Sequence, residues 1–387
     1  MSLLQNSVRD YAWGSTTAIP SLLGVETDGR PQAELWMGAH ESAPSVLADG
    51  GSLYDAVTAD PVAVLGPEVA ERFERRFPFL AKILAAAQPL SIQAHPSPEQ
   101  AVEGFAREDA DGVPRDAPER NYRDAWPKPE ILVALGPFDA LVGFRPPAQT
   151  VALIEALAVP ALDFLAAALR DNRLAEVFAE VMSMDRDAIR PLVLALGEAC
   201  SKYAGTTFEL EVESLDRLAQ DFPDDPGVLA ALLLNRVRLA RFESVYLPAG
   251  NVHAYLSGTG FEVMANSDNV LRGGLTRKHI DVAELVSVVD FTPLEDPVLR
   301  GSSDGGPVTT YQTGCEYFTV RRVDLTGDEV TVDAVGPRIV ACLDGQIELG
   351  TDAEPLPLAP GSSAFVAGPE GPCRLRGAGT AFVVSVT

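Results

Sequence analysis

The first part of the chain, to about residue 148, alternates short apolar runs with turn residues. Glycine, proline and aromatic residues are frequent there, and the apolar runs are short. Runs of this kind, bounded by turn residues, are typical of β-strands, and they leave room for one or two helices. The runs that predict strands are AELWMGAH, PLSIQAH, EILVALG and ALVGF.

Between residues 149 and 240 the pattern changes. Alanine and leucine dominate, glycine becomes scarce, and apolar residues recur every three or four positions. This spacing places the apolar side chains on one face of a helix, so it predicts a helical domain inserted into the chain. The segments with this pattern are TVALIEAL, ALDFLAAALRDN, RLAEVFAEVMSM and AIRPLVLALGEACSKYA.

Strand patterns return after Arg241, in SVYLPAGNVHAYL and GFEVMANSDNVLRGGL, and a helix is predicted over Asp281–Val289. From about residue 300 the chain is rich in Gly, Val and Thr, with alternation in YFTVRRVDL, IVACLDGQIEL and FVVSVT. This last part contains no histidine. We interpret it as a second, smaller β-barrel without metal ligands.

These patterns predict a mainly β fold with an α-helical insert. Residues 1–148 and 241–300 would form two parts of one barrel, and residues 149–240 the helical domain between them. Residues 301–387 would form the smaller C-terminal barrel. We expect the site chemistry in the first barrel, because all four histidines lie there.

The chain has 387 residues, with 30 Lys+Arg against 55 Asp+Glu, for a formal net charge of −25. Nucleic-acid surfaces need basic stripes, so this balance excludes that class of partner. An anionic substrate would require a locally positive pocket. The lysines are only Lys82, Lys128, Lys202 and Lys278, which gives weight to any lysine inside a motif.

The cysteines and the apolar segments predict a cytoplasmic protein without a membrane span. Cys200, Cys315, Cys342 and Cys373 lie far apart, and the polar start of the chain lacks a secretory apolar region. This pattern favours a reducing compartment. The longest apolar stretch is broken by Glu, Asp and Pro before it reaches the roughly 18 apolar residues of a membrane helix. We also expect a monomer.

Four residues near predicted strand ends form a candidate metal site. Gln93 and His95 are two apart, so on a strand their side chains point to the same side. His253 follows the turn Pro248-x-Gly250, and Glu130 follows Pro129 at the start of an apolar run. Two imidazoles, a carboxylate and an amide oxygen are ligands that suit zinc in a reactive site. The alternative is that these are ordinary hydrogen-bonded polar residues.

The other histidines and one charged loop have less specific patterns. His40, in MGAHES, is interpreted as a buried, hydrogen-bonded residue, and His279 as a surface residue in the first turn of a helix. The segment from Ala106 to Asp124 is charged and contains proline. It is either a solvated loop or a lid over a pocket.

Five long motifs resemble type I mannose-6-phosphate isomerases. In chain order, over about the first 300 residues, they are AELWMGAH, FPFLAKILAAAQPLSIQAHP, NYRDAWPKPEI, VYLPAGNVHAYLSG and SDNVLRGGLTRKHID. The resemblance implies cupin-type jelly-roll barrels, one catalytic and one smaller and C-terminal, with a helical domain inserted. Where relatives have a histidine or polar residue before the matching lysine, this chain has Pro127.

The resemblance also implies one Zn²⁺ per chain on Gln93, His95, Glu130 and His253. The reaction would interconvert mannose 6-phosphate and fructose 6-phosphate, a small-molecule sugar phosphate substrate, by proton transfer between C1 and C2. Arg272 matches the essential arginine of the family, and Ser91 and Lys278 match positions that hold the substrate phosphate. An enediol-like intermediate would be stabilised by the zinc and the arginine.

The base that carries the proton is left open by the sequence. Lys128 lies two residues from Glu130, and a nearby cation would disfavour its ammonium form. Asp268, four before Arg272, is the competing candidate, or it supports the loop. A metal-bound water is a third possibility. Lys82 and Tyr255 are candidates for the substrate-binding wall, against a surface lysine and an ordinary core aromatic.

Two other functions compete with the isomerase. One is another metal-dependent cupin enzyme, either an oxygenase or an isomerase of a different sugar phosphate, and an oxygenase would need redox-active iron or copper. The other is a non-catalytic sugar-sensing cupin, which would lack the Arg272 loop or carry a DNA-binding domain. The charge and motifs provide no such domain.

Overall fold

The computed structural model describes residues 1–351 and 354–387. Twenty strands lie in these two ranges: β1 Ser2–Gln5, β2 Ser7–Arg9, β3 Glu34–Gly38, β4 Val46–Leu47, β5 Phe79–Ala86, β6 Gln93–Ala94, β7 Glu130–Ala134, β8 Phe138–Phe144, β9 Leu234–Leu239, β10 Glu243–Leu247, β11 His253–Ala265, β12 Leu271–Arg272, β13 Leu299–Arg300, β14 Val308–Tyr311, β15 Thr319–Thr326, β16 Val330–Val332, β17 Val335–Gly350, β18 Leu356–Leu358, β19 Ser363–Val366 and β20 Cys373–Val386.

The same ranges contain twelve α-helices and one short 3-10 helix at Pro160–Leu162. The α-helices are α1 Ala18–Leu23, α2 Leu53–Ala59, α3 Pro61–Leu65, α4 Pro67–Arg72, α5 Pro98–Ala110, α6 Pro147–Leu157, α7 Asp163–Arg170, α8 Leu174–Ser183, α9 Arg186–Lys202, α10 Glu209–Asp221, α11 Gly227–Leu232 and α12 Val282–Val288. None of the described helices has the length and apolar composition that a bilayer crossing requires.

The strands form two sheets, so the predicted mainly β fold with an α-helical insert is confirmed. The larger sheet has eleven strands in the order β13-β10-β7-β11-β5-β3-β2, with β6 and β8 on β11, β12 on β6 and β9 on β8. The smaller sheet has nine, in the order β14-β15-β20-β17-β19-β1-β4, with β16 on β20 and β18 on β17. All eight residues of β5 are buried, which fits its run FLAKILAA, apolar except for Lys82.

Two short strands depart from the division predicted at the sequence level. β1 and β4, inside the range assigned to the first barrel, belong to the smaller sheet, where β1 pairs with β19 and with β4. Leu4 faces the core there, and its partners come from the far end of the chain. This pairing has no local sequence signal, because it joins residues more than three hundred positions apart.

The helical segment runs from α6 to α11, and β9 follows α11 before residue 240. Residues Leu234–Leu239 form β9, which pairs with β8. Its last four residues alternate between buried and more exposed positions, the two-residue period of a strand, although the run is rich in leucine. The helix predicted over Asp281–Val289 is confirmed as α12, with Asp281 as its N-cap and Val289 as its C-cap.

The charged segment at 106–124 is partly helical, because α5 extends to Ala110. The buried guanidinium of Arg120 anchors the rest of the segment, residues 111–124. This group pairs with Glu108 and Asp109 and donates to the carbonyl oxygen of Tyr122. The loop is therefore tied down at Arg120, which supports neither a freely solvated loop nor a loosely hinged lid.

The two sheets share one hydrophobic core. Phe261 of β11 stacks on Phe382 of β20, with ring centroids 4.4 Å apart, and Phe77 approaches Phe365 of β19 at 6.2 Å. A second core packs the helical segment against β8 and the site end of the larger sheet. The site strands are therefore supported from both sides.

Candidate metal centre and active site

Three neighbouring strands of the larger sheet bring the predicted ligands together. His253 opens β11 and pairs across with Gln93 of β6, and His95 follows β6 directly. Glu130 opens β7 and pairs with Met264, which lies at the other end of β11. His95, Glu130 and His253 are buried, and their ligand atoms lie within 4.8 Å of one another. Within the described ranges they form the one such group.

Both imidazoles turn a lone pair towards Glu130. His95 Nδ1 lies 2.8 Å from the carbonyl oxygen of Asn269, and His253 Nδ1 lies 3.1 Å from that of Asn251. A carbonyl accepts a hydrogen, so each Nδ1 carries the proton and each Nε2 is left as an acceptor. Nε2 of His95 lies 3.4 Å from Glu130 Oε1, and Nε2 of His253 lies 3.5 Å from Oε2.

Acceptor atoms that face one another in a buried site need a cation between them. His95 Nε2 is buried and has no hydrogen-bond partner among the residues that the structure describes. Two ligands of a tetrahedral zinc ion with bonds of about 2.1 Å lie roughly 3.4 Å apart, close to the separations found here. The Nδ1 to carbonyl contacts are the usual outer support of metal-bound histidine. The donor set therefore fits zinc.

Burial and neighbouring charges keep His95 and Glu130 in their metal-binding protonation states. Burial lowers the pKa of His95 to about 4, so the ring is neutral near pH 7. Burial alone would raise the pKa of Glu130, but Lys128, His95 and His253 together outweigh it and hold the pKa well below its ordinary value. The Lys128 ammonium lies 3.0 Å from Glu130 Oε1. A neutral imidazole and an ionised carboxylate are the forms that bind a metal.

Gln93 is placed as a possible fourth ligand. Its amide nitrogen donates to Ser91 Oγ at 3.3 Å, which leaves Oε1 as the atom available to a cation. Ser91, Gln93, Glu130 and His253 line one cavity. The structure therefore brings the four predicted ligands and the predicted phosphate-contacting serine to a single place.

A second buried charge cluster forms another wall of this cavity. Lys82 lies 3.2 Å from Glu262 Oε2 and 3.6 Å from Glu34 Oε1, and Glu34 also accepts a hydrogen bond from Trp36 at 2.7 Å. Burial alone would lower the pKa of Lys82, but the charges of Glu34 and Glu262 raise it above its ordinary value. Burial raises the pKa of Glu262. Lys82 is thus a buried, charged wall residue and not a surface lysine.

Seven of the predicted site residues line the cavity. They are Lys82, Ser91, Gln93, Lys128, Glu130, Tyr255 and His253. Tyr255 is buried, and burial raises the pKa of its hydroxyl well above the ordinary value, so this group is a neutral donor. Asp268 and Lys278 are not part of this wall and line neighbouring clefts.

The loop that leads to Arg272 is tied to the metal ligands by Asn269. Its carbonyl oxygen accepts from His95, and its side-chain oxygen accepts from the backbone N–H of Arg123 at 2.7 Å. Its side-chain nitrogen donates to the carbonyl oxygens of Asp124 and Trp126. One fully buried residue therefore joins a ligand, the 123–126 segment and the loop before β12.

Comparison with known proteins decides the family. Residues 1–147 match the model of the phosphomannose isomerase type I catalytic domain, and residues 307–386 match that of the mannose-6-phosphate isomerase cupin domain. Mannose-6-phosphate isomerases of Shigella flexneri and Escherichia coli (strain K12) are each 39% identical to this chain, over 98% of both chains. The chain belongs to the type I mannose-6-phosphate isomerase family.

Solved structures of this isomerase family share the whole fold. A mannose 6-phosphate isomerase from Salmonella typhimurium, bound to substrate and zinc, has a TM-score of 0.92 and 38% identity over 100% of this chain and 99% of that one. A zinc-bound holo form has the same TM-score, identity and coverage. The cupin-type architecture expected from the motifs is therefore confirmed.

In this member of the isomerase family, backbone pairing between two strands places Arg272 beside the metal ligands. It pairs with Gln93 across β12 and β6. Partial burial and the charge of Arg123 lower the pKa of Arg272, and partial burial with the charges of Arg272 and Arg123 lowers that of Lys278. These three cations form a positive cluster next to the cavity in a chain of net charge −25.

Asp268 is paired with His40 and lies outside the cavity wall. Its carboxylate lies 3.4 Å from His40 Nε2, and His40 Nδ1 accepts from the backbone N–H of Ser42. Partial burial alone would raise the pKa of Asp268, but the hydrogen bond from His40 and the charges of Lys128 and Arg123 lower it to about 2. The prediction that His40 is buried and hydrogen-bonded is confirmed. His279 is exposed, as predicted, but it precedes α12 and is not in its first turn.

Sequence reasoning missed Glu34, Glu262, Asn269 and Arg123 as parts of the site. Glu34 and Glu262 each interrupt an otherwise apolar strand, AELWMG and GFEVMA, and a charge in a buried strand is a signal that could have found them. Asn269 and Arg123 lie in polar loops, where a polar or charged residue does not stand out from its neighbours in the sequence. Their role depends on contacts between distant segments.

Proposed function

We propose that this chain interconverts mannose 6-phosphate and fructose 6-phosphate with one bound Zn²⁺. The observation that carries the proposal is the pair of histidine Nε2 atoms that face the Glu130 carboxylate at 3.4 and 3.5 Å. Family membership and the substrate and zinc bound in the Salmonella typhimurium structure support the same conclusion.

His95, Glu130, His253 and the Gln93 amide oxygen would hold the zinc ion. When bound, the ion supplies Lewis-acid stabilisation of negative charge on the C1 and C2 oxygens of the sugar. The neutral amide ligand leaves the ion more electrophilic than a second carboxylate would. Arg272, which stays protonated at any working pH, adds a second positive charge beside the reacting carbons.

We assign the proton transfer between C1 and C2 to Lys128. Its side-chain nitrogen lies 3.0 Å from Glu130 Oε1 in the cavity wall. As the neutral amine it would take the proton from one carbon, become an ammonium, and return the proton to the other carbon. Asp268 is a weaker candidate, because its pairing with His40 lowers its pKa to about 2 and a strong acid is a poor base near neutral pH. Asp268 would instead support the loop before Arg272. The intermediate is enediol-like, since the proton leaves one carbon before it reaches the other.

The phosphate of the substrate would bind at the positive cluster. Ser91 can donate its hydroxyl from the cavity wall, while Arg272, Lys278 and Arg123 supply charge outside it. A fixed phosphate places C1 and C2 repeatably against the reactive groups, and such positioning is a major part of catalysis. Tyr255 and Lys82 would bound the sugar within the cavity.

The proposal is tested by assaying the purified protein with mannose 6-phosphate before and after treatment with a chelator. We expect fructose 6-phosphate to form, activity to be lost on chelation, and activity to return with zinc. His253→Ala should remove both bound zinc and activity, because it deletes a ligand. His279→Ala is the matched control, since His279 is exposed and away from the cluster.

Full turnover after complete zinc removal would contradict the proposed mechanism. Iron in place of zinc, together with oxygen consumption, would favour the oxygenase alternative. Zinc binding without turnover of any sugar phosphate would favour the sensing module.

A further inference from the structure

The turn after Arg272 is held in a strained backbone shape. Leu275 adopts a left-handed conformation, with φ of 54°, which is unfavourable for a residue with a branched side chain. Gly274 before it has φ of 112°, a region that only glycine adopts easily. A conformation of this kind persists only when its surroundings enforce it.

The enforcing group is Asp225, from the segment between α10 and α11. One carboxylate oxygen accepts from the backbone N–H of Leu275 at 2.8 Å, and the other accepts from that of Thr276 at 3.1 Å. The first oxygen also accepts from the backbone N–H of Gly227 at 2.7 Å, which orients the carboxylate. Hydrogen bonds to a charged acceptor are the stronger class.

The backbones of the two segments are in direct contact at this point. A Cβ atom added to Gly274 would lie 2.5 Å from the Gly227 Cα. A Cβ atom added to Gly227 would lie 2.6 Å from the Leu275 nitrogen. The helical segment and the turn therefore fit together through two glycines, with Asp225 as the polar link.

Arg272 and Lys278, at the two ends of this turn, are held by different elements. Arg272 belongs to β12, which pairs with β6, and Gly273 donates to Ile92 at 2.8 Å. Beyond Gly274, the side chain of Leu275 packs in the core, and the hydrogen bonds that fix the backbone of the turn come from Asp225. Lys278 N–H donates to Thr276 Oγ1 at 3.1 Å. Loss of Asp225 would free the Lys278 end and leave the Arg272 end on its strand.

We propose that Asp225 is a positioning residue through which the helical segment holds Lys278 in place for the phosphate of a sugar phosphate. This inference rests on the proposed function and adds a task for the inserted helices. Without the carboxylate, Leu275 relaxes to an ordinary conformation and the turn becomes mobile. Phosphate binding must then order the turn again, so affinity falls while the chemistry beside Arg272 is little changed.

The test compares Asp225→Ala with the wild-type protein in steady-state kinetics. We expect the KM for mannose 6-phosphate and the inhibition constant of inorganic phosphate each to rise about tenfold. We expect kcat to stay within about twofold and bound zinc to stay at the wild-type level. Asp225→Asn keeps one acceptor oxygen, so its KM should lie between those of the wild type and the alanine variant.

Asp224→Ala is the matched control. Asp224 is the neighbouring residue in the same segment, pairs with Arg186 at 3.6 Å, and accepts no hydrogen bond from the turn. Its KM and phosphate inhibition should equal those of the wild type. Thermal melting of each variant checks the fold, and if Asp225→Ala does not fold, Asp225→Asn carries the comparison.

A double variant distinguishes an effect of Asp225 through Lys278 from a general disturbance of the structure. If Asp225 acts through Lys278, then Asp225→Ala combined with Lys278→Ala should show the same KM as Lys278→Ala alone. Additive effects, or an unchanged KM in Asp225→Ala while Lys278→Ala raises it, would overturn the inference. A wild-type protein without isomerase activity, or a Lys278→Ala variant with normal KM, would instead count against the proposed function.

Discussion

At the scale of single residues, the cavity is organised by pairs of opposite buried charges. Lys128 faces Glu130, and Lys82 lies between Glu34 and Glu262. A buried charge is costly unless a partner and hydrogen bonds compensate it, so each of these groups depends on its neighbour. The pairs keep a polar site intact inside strands that are otherwise apolar.

Lys82→Met should destabilise the protein by about 3 kcal/mol at pH 7, because it leaves two buried carboxylates without their cation. The pKa of Lys82 is raised above its ordinary value of 10.5, so the folded state holds this proton more tightly than the unfolded chain. Its stabilisation is therefore complete below about pH 10.5 and is lost as the pH rises further.

Urea unfolding at pH 7 and pH 11 measures this effect. The difference between the wild type and Lys82→Met should be smaller at pH 11. Lys202→Met is the control, because Lys202 is an exposed helix residue paired with Glu198, and its loss should cost at most about 0.5 kcal/mol. An equal cost for the two lysines at pH 7 would contradict the buried-pair argument.

Arg272→Ala should reduce kcat by about 10²-fold or more while the fold survives, as expected when a charge-stabilising group is removed. Steady-state kinetics measure kcat and KM, and thermal melting checks that the variant is folded. Arg277→Ala, in the same loop but exposed and without an ion pair in the described residues, is the control. A mere doubling of KM in Arg272→Ala would remove Arg272 from the catalytic role.

At the scale of elements, the site forms where the ends of three strands and two loops contact one another. β6, β7 and β11 supply the ligands, and Asn269 fastens the 123–126 segment to the loop before β12. Its backbone oxygen also orients His95. Loop geometry and metal geometry are therefore coupled through one side chain and its backbone.

Asn269→Ala should destabilise the protein by about 2–3 kcal/mol, because the backbone groups of the 123–126 segment lose buried partners. Zinc affinity should fall as well, since His95 loses a firmly placed support. Chemical denaturation and zinc titration measure the two effects. Asn121→Ala, which loses a single side-chain donor bond to Asp281, should cost under about 1 kcal/mol. Equal effects of both substitutions would contradict the coupling.

At the scale of the whole molecule, the C-terminal sheet contributes to the core behind the site. Phe382 of β20 stacks on Phe261 of β11, and β1 carries the start of the chain into the smaller sheet. The two sheets therefore share apolar burial, and we expect them to unfold together. The monomeric state and the predicted domain division stay predictions, and size-exclusion chromatography with light scattering checks the first.

Phe382→Ala should lower the free energy of unfolding by about 3–5 kcal/mol, because the side chain is 1% exposed and packs between the two sheets. The midpoint of the unfolding transition should fall by the same amount for both sheets. Far-UV circular dichroism follows both sheets. Tryptophan fluorescence reports mainly on the larger sheet, because Trp36 lies in β3 and neither Trp13 nor Trp126 lies in a strand of the smaller sheet. Phe164→Ala, at a helix position 37% exposed, is the milder control. Separate transitions in the two signals would contradict a shared core.

The sequence alone determined the features that depend on local pattern. Periodicity distinguished the helical segment from the strands, because a helix and a strand repeat their buried positions at different intervals. The turn before His253 and the two-residue spacing of Gln93 and His95 predicted a metal site, which the clustering of His95, Glu130 and His253 supports. The family motifs supplied Arg272 and the reaction, while the position of Lys128 two residues before Glu130 made it one of the open candidates for the base.

Only the tertiary structure decided which distant residues complete the site. Lys82 is charged and buried because Glu34 and Glu262 lie on neighbouring strands, and Asp225 reaches Leu275 across fifty positions of sequence. The pairing of β1 with β19 has the same origin. A side chain's charge state and its hydrogen-bond partner are set by the three-dimensional surroundings, and these depend on how separate segments pack and not on the residues beside them in the chain.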